Sequence, residues 1–439
     1  MSRKNRKATE TATDTSGTTS EPRSIPTSGP LAFTAPKREL ARIVKQVGAA
    51  TDRKSSIAML GYIALRASVE GVRFAGTDLN HAMVVHANAP TWSVQGVGGM
   101  AVPAKGFADL LRKLPEGPVT VRGTDHGIVL VAGSAEVVLR GLPDRDFPKL
   151  PMPITDDDPV WARADLATVD AETLRELLAS VAFAVSQDPT RFHLNGTCLL
   201  YDGADAIAIT TDGHRLAKSR RFMTGAWTRE PFTINGVILP ANGCELALGM
   251  LAKVGTCDMG ILEGRFFMRR TIGGITTTLS VKCIDAQFPP YEQVIPKAHR
   301  RLLTVNRASL VSALELAKRI AGREHGTRFE VTGTDLALVT ENSDAGTVRE
   351  VLTGTEFNAC DGFRIGLNPS YLLDAIRDLD ADRVTIAFSD DESPCKYTDK
   401  QDKVLTYQLE PMLVRGTEDT TEFSLADARY LCVIMPMRI

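Results

Sequence analysis

Pro103-Ala104-Lys105, running into Leu110, Leu111 and Leu114, is matched further along the chain by Pro240-Ala241-Asn242, running into Leu246 and Leu251. It is matched again by Asn368-Pro369-Ser370, which leads into Leu372, Leu373, Ile376 and Leu379. Proline suits the first turn of a helix, where its missing N–H has no bond to lose, so each stretch reads as a helix start. Short alternating strands follow, as in Gly127 to Ala132 and Ile275 to Val281. In the first two copies an Asp-x-x-Phe-Pro turn closes the pattern, at Asp144 to Pro148 and at Asp285 to Pro289. Pro103 lies 44 residues before Phe147, and Pro240 lies 48 before Phe288. Spacing kept so closely over that distance points to one repeated unit.

Outward from these blocks, each is preceded by a second amphipathic segment. After Pro36, Leu40, Ile43, Val44 and Val47 recur at the spacing of one helix face, with Arg38, Arg42 and Lys45 opposite. Another helix begins near Asp170, a side chain suited to capping, and carries Leu174, Leu177, Leu178, Val181 and Val185. A third begins near Asn306, with Leu310, Leu314, Ala317 and Ala321 on one side and Lys318 and Arg319 on the other. Each is followed by strand-rich sequence with an acidic, Thr-containing turn: Gly76-Thr77-Asp78, Thr211-Asp212-Gly213 and Thr340-Glu341-Asn342. The predicted fold is α+β, three tandem helix-plus-antiparallel-sheet domains at 31–158, 159–298 and 299–439. The length of 439 residues agrees, at roughly 150 residues per domain. Residues 1–30, nearly devoid of large apolar side chains, are predicted to be a disordered tail whose Arg3, Lys4, Arg6 and Lys7 are solvated.

A net charge of -2 argues against a generally basic nucleic-acid binder, so any DNA contact must come from local charge. No apolar run reaches the roughly 18 residues of a membrane span, and the N-terminus lacks a secretory core, which predicts a cytoplasmic protein. The cysteines at 198, 244, 257, 283, 360, 395 and 432 form no C-x-x-C pair and read as reduced, mostly buried thiols. Asn195-Gly196-Thr197 fits the glycosylation pattern by accident.

Catalytic motifs fare poorly. Gly96-x-Gly98-x-x-Ala101 has the outline of a dinucleotide fingerprint but lacks the acidic residue that should close a strand about 20 residues on. Thr211-Asp212-Gly213-His214-Arg215-Leu216 sets His near Asp, yet residues of an extended segment alternate faces, and no nucleophile motif accompanies them. Asp156-Asp157-Asp158 and Asp390-Asp391-Glu392 lack a ligand-spaced partner, so no metal or cofactor is expected. Basic side chains recur on the helices, at Arg42, Lys45, Arg112, Lys113, Arg175, Lys253, Lys318 and Arg319. Facing one way they would form a sequence-independent phosphate surface.

Four motifs in order carry a resemblance: Arg191 to Gly196, Thr211 to Ala217, Phe288-Pro289 through Val294-Ile295-Pro296, and Val433-Ile434-Met435-Pro436-Met437-Arg438-Ile439. From about residue 31 to the C-terminus the chain resembles the bacterial DNA polymerase III β sliding-clamp family. The resemblance implies a non-catalytic, head-to-tail homodimeric ring that encircles duplex DNA and tethers the polymerase. It implies DNA contacts at Arg53, Lys54, Gln187 and Arg191. It also implies a groove for clamp-binding peptides, formed by Leu194, Thr211, Gly213, His214, Arg215, Leu216, Pro289, Val294, Asn368, Tyr371, Val433, Met435, Pro436, Met437 and Arg438. Implied partners are the clamp loader, the polymerase III catalytic subunit and other proteins carrying such peptides, with the ring associated with the nucleoid.

The chain departs from the family pattern at Pro290, Gln293, Glu392 and Ile439, in an insertion near 400–428 and in the tail. These departures suggest an alternative, a clamp paralogue specialised for one partner or for resistance to a clamp-binding compound. A DNA-processing hydrolase using His214 and Asp212 is the reading from another class.

Overall fold

Each unit is built twice from the same series, a strand, a helix and three antiparallel strands, because each helix has one apolar stripe that only a sheet can cover. The computed structural model describes residues 30–150, 152, 167–203, 205–223, 236–295, 301–322, 326–358, 363–379, 381–388, 412–416 and 430–437. The N-terminal tail to residue 29, both acidic runs, Cys360, Cys395, most of the 400–428 insertion and Arg438 lie outside the described residues.

The first unit runs β1 (Ala32–Pro36), α1 (Lys37–Gly48), β2 (Tyr62–Ser68), β3 (Gly71–Thr77) and β4 (His81–Ala87), then β5 (Ser93–Gly96), β6 (Gly98–Pro103), α2 (Ala104–Lys113), β7 (Pro118–Thr124), β8 (Gly127–Ala132) and β9 (Ala135–Arg140). The second runs β10 (Ala167–Asp170), α3 (Ala171–Ala179), β11 (Gly196–Tyr201), β12 (Asp205–Thr211), β13 (Arg215–Phe222), β14 (Val237–Pro240), α4 (Ala241–Met250), β15 (Thr256–Leu262), β16 (Arg265–Ile272) and β17 (Ile275–Lys282). The third runs β18 (Arg301–Asn306), α5 (Arg307–Ala321), β19 (Thr327–Thr332), β20 (Asp335–Asn342), β21 (Gly346–Leu352), β22 (Glu356–Phe357), β23 (Phe363–Leu367), α6 (Pro369–Ile376), β24 (Arg383–Phe388), β25 (Met412–Gly416) and β26 (Tyr430–Ile434).

The helix starts follow their sequence. Asp170 accepts from the Thr173 N–H at 2.8 Å, Asn306 from Ser309 at 3.0 Å and Asn368 from Ser370 at 2.9 Å, each supplying an acceptor to an otherwise unpaired first-turn donor. Asp170→Ala should cost about 1 kcal/mol in urea unfolding and raise amide exchange in α3, with Asp170→Asn keeping most of the stability. Prolines differ from expectation: Pro369 is the first residue of α6, whereas Pro103 and Pro240 are the last residues of strands and sit at the cap position. Their ring-fixed φ of -57° and -60° suits a helix start, while ψ of 120° and 152° keeps each in the extended geometry of a cap. The Asp170 helix is also shorter than its apolar stripe, ending at Ala179, with Val181 and Val185 buried beyond it.

Sheets run across the unit boundaries. One eight-stranded sheet joins β6-β2-β3-β4 of the first unit to β17-β16-β15-β10 of the second through the β4–β17 ladder. A nine-stranded sheet joins β14-β11-β12-β13 to β26-β25-β24-β18-β22 through β13–β26. Sheets of five (β5-β1-β7-β8-β9) and four (β21-β20-β19-β23) strands remain at the two ends, with β9 and β21 as outer edges. The helices pack on these sheets over two large apolar clusters, one shared by the first two units and one in the third. Gly96 and Gly98 fall in β5 and β6, a strand pair that changes sheets, so the dinucleotide outline has no phosphate loop behind it. Lys253 lies past the end of α4 and is no part of a helical basic face.

Candidate functional site

The site grows from a tight turn that all three units share. Asp78 Oδ1 accepts from the N–H groups of Asn80 and His81, Asp212 Oδ1 from His214 and Arg215, and Asn342 Oδ1 from Asp344 and Ala345. An oxygen two or three residues ahead of two free donors closes such a turn. In the third unit the turn therefore starts at Asn342. Thr340, expected in the turn, is buried in β20, where its hydroxyl meets Thr327 at 2.8 Å. In the second unit the tip is Gly213 at φ 89°, and in the first it is Leu79 at φ 77°, a conformation that a side chain disfavours.

From this turn Arg215 reaches across to the third unit. Its guanidinium donates to Asp212 Oδ2 at 3.1 Å, to Asp374 Oδ2 at 2.8 Å and to the Phe183 carbonyl at 2.7 Å. It lies over the rings of Tyr371, 4.5 Å from the centroid, and Phe183, at 5.2 Å. Burial lowers its pKa, and the Asp374 and Asp212 carboxylates more than reverse this. His214 also stacks on Tyr371, the ring centroids 6.4 Å apart. Asp212 serves Arg215 and the turn amides, and among the described residues it makes no bond to the His214 ring. That leaves a catalytic His–Asp pair without its geometry.

Beside the turn, β26 completes a trough. Leu216 pairs with Val433, and Met435 N–H donates to the His214 carbonyl at 2.9 Å. Met437 N–H donates to Gly366 at 2.8 Å, tying the terminal segment to the third unit near Asn368 and Tyr371. Leu194, Leu216 and Val433 belong to one apolar cluster that includes Phe288, with Tyr291 and Ile295 packed on it. Those three residues are buried floor. Val294 is 47 % exposed and Met435 38 %, so these two, with exposed His214, present the accessible side chains. Thr211 Oγ1 donates to the Arg215 carbonyl, Pro436 is buried, and Pro289 and Met437 are partly exposed.

Arg53 and Lys54 follow α1 and Gln187 follows α3, equivalent places in two units, and all three are exposed. Arg191 is exposed too, but its Nη1 lies 3.4 Å from the Asp212 carbonyl, against the trough's turn. Sequence reasoning missed Asp374, Phe183, Tyr291 and Lys218. Asp374 had a signal, standing three residues after Tyr371 and hence on the same helix face. Among the described residues no group of three or more His, Cys, Asp or Glu could hold a metal, and no helix is long and apolar enough to cross a membrane.

Comparison with known proteins agrees with this architecture. Residues 31–151, 168–290 and 292–413 match the N-terminal, central and C-terminal domains of the DNA polymerase III beta subunit. The beta sliding clamp of Salmonella typhimurium is 27% identical over 386 residues, covering 87% of this chain and 99% of its own. That of Caulobacter vibrioides is 27% identical over 391 residues, covering 87% and 100%. The DNA polymerase sliding clamp of Bacillus subtilis shares the fold with a TM-score of 0.76 at 20% identity, covering 94% of this chain and 100% of its own. The clamp of Bartonella birtlesii, solved bound to griselimycin, gives 0.75 at 24%, covering 94% and 100%. With three consecutive domain matches in order on a three-unit fold, the chain belongs to the bacterial DNA polymerase III beta subunit family, the β sliding clamps.

Proposed function

We propose that two copies of this clamp, each with domains at 31–158, 159–298 and 299–439, close head to tail into a cytoplasmic ring around duplex DNA. The observation that carries the proposal is a shared register at the two seams within the chain. Met83, Ala217 and Thr347 each stand five residues beyond the turn acceptors Asp78, Asp212 and Asn342. Traced along the ladders from the first strand of each unit, Val137, Leu279 and Cys432 occupy one position. Leu279 pairs with Met83, and Cys432 with Ala217. Among the described strands, Val137 and Thr347 are the two left over, on the open edges β9 and β21. Pairing Val137 with Thr347 of the partner subunit satisfies both edges and closes the ring, as a heterologous contact does when its rotation permits.

Within the ring, Arg53, Lys54, Gln187 and Arg191 touch phosphates, contacts that are individually weak and carry no sequence information, as sliding needs. The trough between His214 and Met435 receives peptides of the polymerase catalytic subunit, the clamp loader and other nucleoid partners. Apolar anchors suit its Leu, Val, Pro and Met lining. A paralogue set apart for one partner is not favoured, since the relatives quoted match over nearly their whole length and are named for the clamp. A hydrolase is not favoured either. The test is retention: after loading, the protein should remain on nicked circular DNA and be lost when that DNA is linearised. Equal retention on both forms would sink the ring.

A further inference from the structure

Lys218 lies on β13 in the floor of the trough. It shares a strand face with Leu216, two residues away, or roughly 6–7 Å along the strand. Its cross-strand neighbours are Ile209 and Leu431, both buried in the apolar cluster beneath the trough. Tyr291 covers it, the ammonium 5.7 Å from the ring centroid. Burial pushes the Tyr291 phenol up to about 12, so the ring is neutral and its face is available to a cation.

Two other described cations here are already matched. Arg215 is held by Asp212 and Asp374, and Arg220 by Asp202 and Asp205 at 2.6 Å each. Lys218 differs from both. It is half-buried, and among the described residues no carboxylate stands within ion-pair distance of it, Glu292 and Asp202 acting only from further off. Burial holds its pKa below the usual lysine value. Lysine nonetheless stays charged at neutral pH unless burial is complete. A half-buried cation with no described ion-pair partner in an apolar floor favours an anion brought in from outside, because an incoming carboxylate is attracted while part of its water shell has already been excluded.

We infer that Lys218 reads a carboxylate on the peptide that docks along the β13–β26 seam. This rests on the trough being the peptide site. The occupant is therefore a segment with apolar anchors and an acidic group next to them, supplied by an Asp or Glu side chain or by the chain's own C-terminus. Exposed Glu292 opposes the same anion and tunes the preference.

The test uses the full chain and fluorescent Gln-Leu-Ser-Leu-Phe peptides with amidated ends. One peptide is neutral, three carry a single Asp before, within or after the motif, and one ends in a free carboxylate. One acidic placement should bind roughly fivefold tighter than the neutral peptide, as expected for a partly desolvated charge pair. That advantage should vanish in Lys218→Met, persist in Lys218→Arg and grow in Glu292→Gln. An equal advantage in Lys218→Met, or none for any acid in the unaltered protein, would overturn the inference while leaving the peptide site standing. Binding of no peptide at all would remove the site and the inference together.

Discussion

Arg215→Met should destabilise the protein by about 3 kcal/mol in urea unfolding, a size set by stranding charged and polar partners in a mostly dry place. The Arg215 side chain is 11% exposed, and that of Asp374, its partner on the third unit, is 27% exposed. Methionine keeps most of the packing between Phe183 and Tyr371. It leaves Asp374 without its counter-charge and the Phe183 carbonyl without its donor. Asp212 suffers less, because it still accepts the two turn amides. Partial exposure of Asp374 puts the estimate at the low end of the range for a broken buried pair. Adding Asp374→Leu to Arg215→Met should restore well over half of the loss, and amide exchange should localise the damage to Met435 and Met437. A loss under about 1 kcal/mol would mean that water replaces the guanidinium with little penalty.

Val138→Asp should turn the proposed dimer into a monomer at micromolar concentration and abolish retention on circular DNA. Val138 is 66% exposed on β9 and, in the proposed register, faces Gly346 of the partner subunit. Aspartate is among the poorest strand residues, and Glu136 and Glu350 near the same seam add like charge. The monomer should unfold as before, since the altered side chain touches solvent in the single chain. Sedimentation velocity separates the states. The same register sets Glu136 opposite Val348, so Glu136→Cys with Val348→Cys should form a disulfide between subunits and trap the ring on DNA. Cross-linking at a pair shifted by one residue instead would correct the register.

Much of this was legible in the sequence because the repeat rests on local rules. Helix faces announce themselves by spacing, and Asp170, Asn306 and Asn368 cap because their oxygens reach donors two or three residues ahead. The turn in the third unit was misread because Thr340-Glu341-Asn342 has the right residue types one step out of register. Only the bond made by each side chain separates Asn342, which closes the turn, from Thr340, which faces Thr327. Contacts made between units were the least legible. Nothing near Arg215 in sequence announces Asp374, 159 residues away, or the Phe183 carbonyl. Lys218 was passed over for a related reason, since a lysine on a strand reads as solvated until Tyr291 is seen to cover it.

The seams also decide how such a ring would give way. Two of the three kinds of junction, β4–β17 and β13–β26, lie within one polypeptide, so pulling them apart leaves the halves tethered and free to re-zip. The proposed β9–β21 junction would have no tether. With the same kind of ladder proposed at all three, the seams would differ in what remains after rupture, and under mechanical load the same chain would supply both the hinges and the gate.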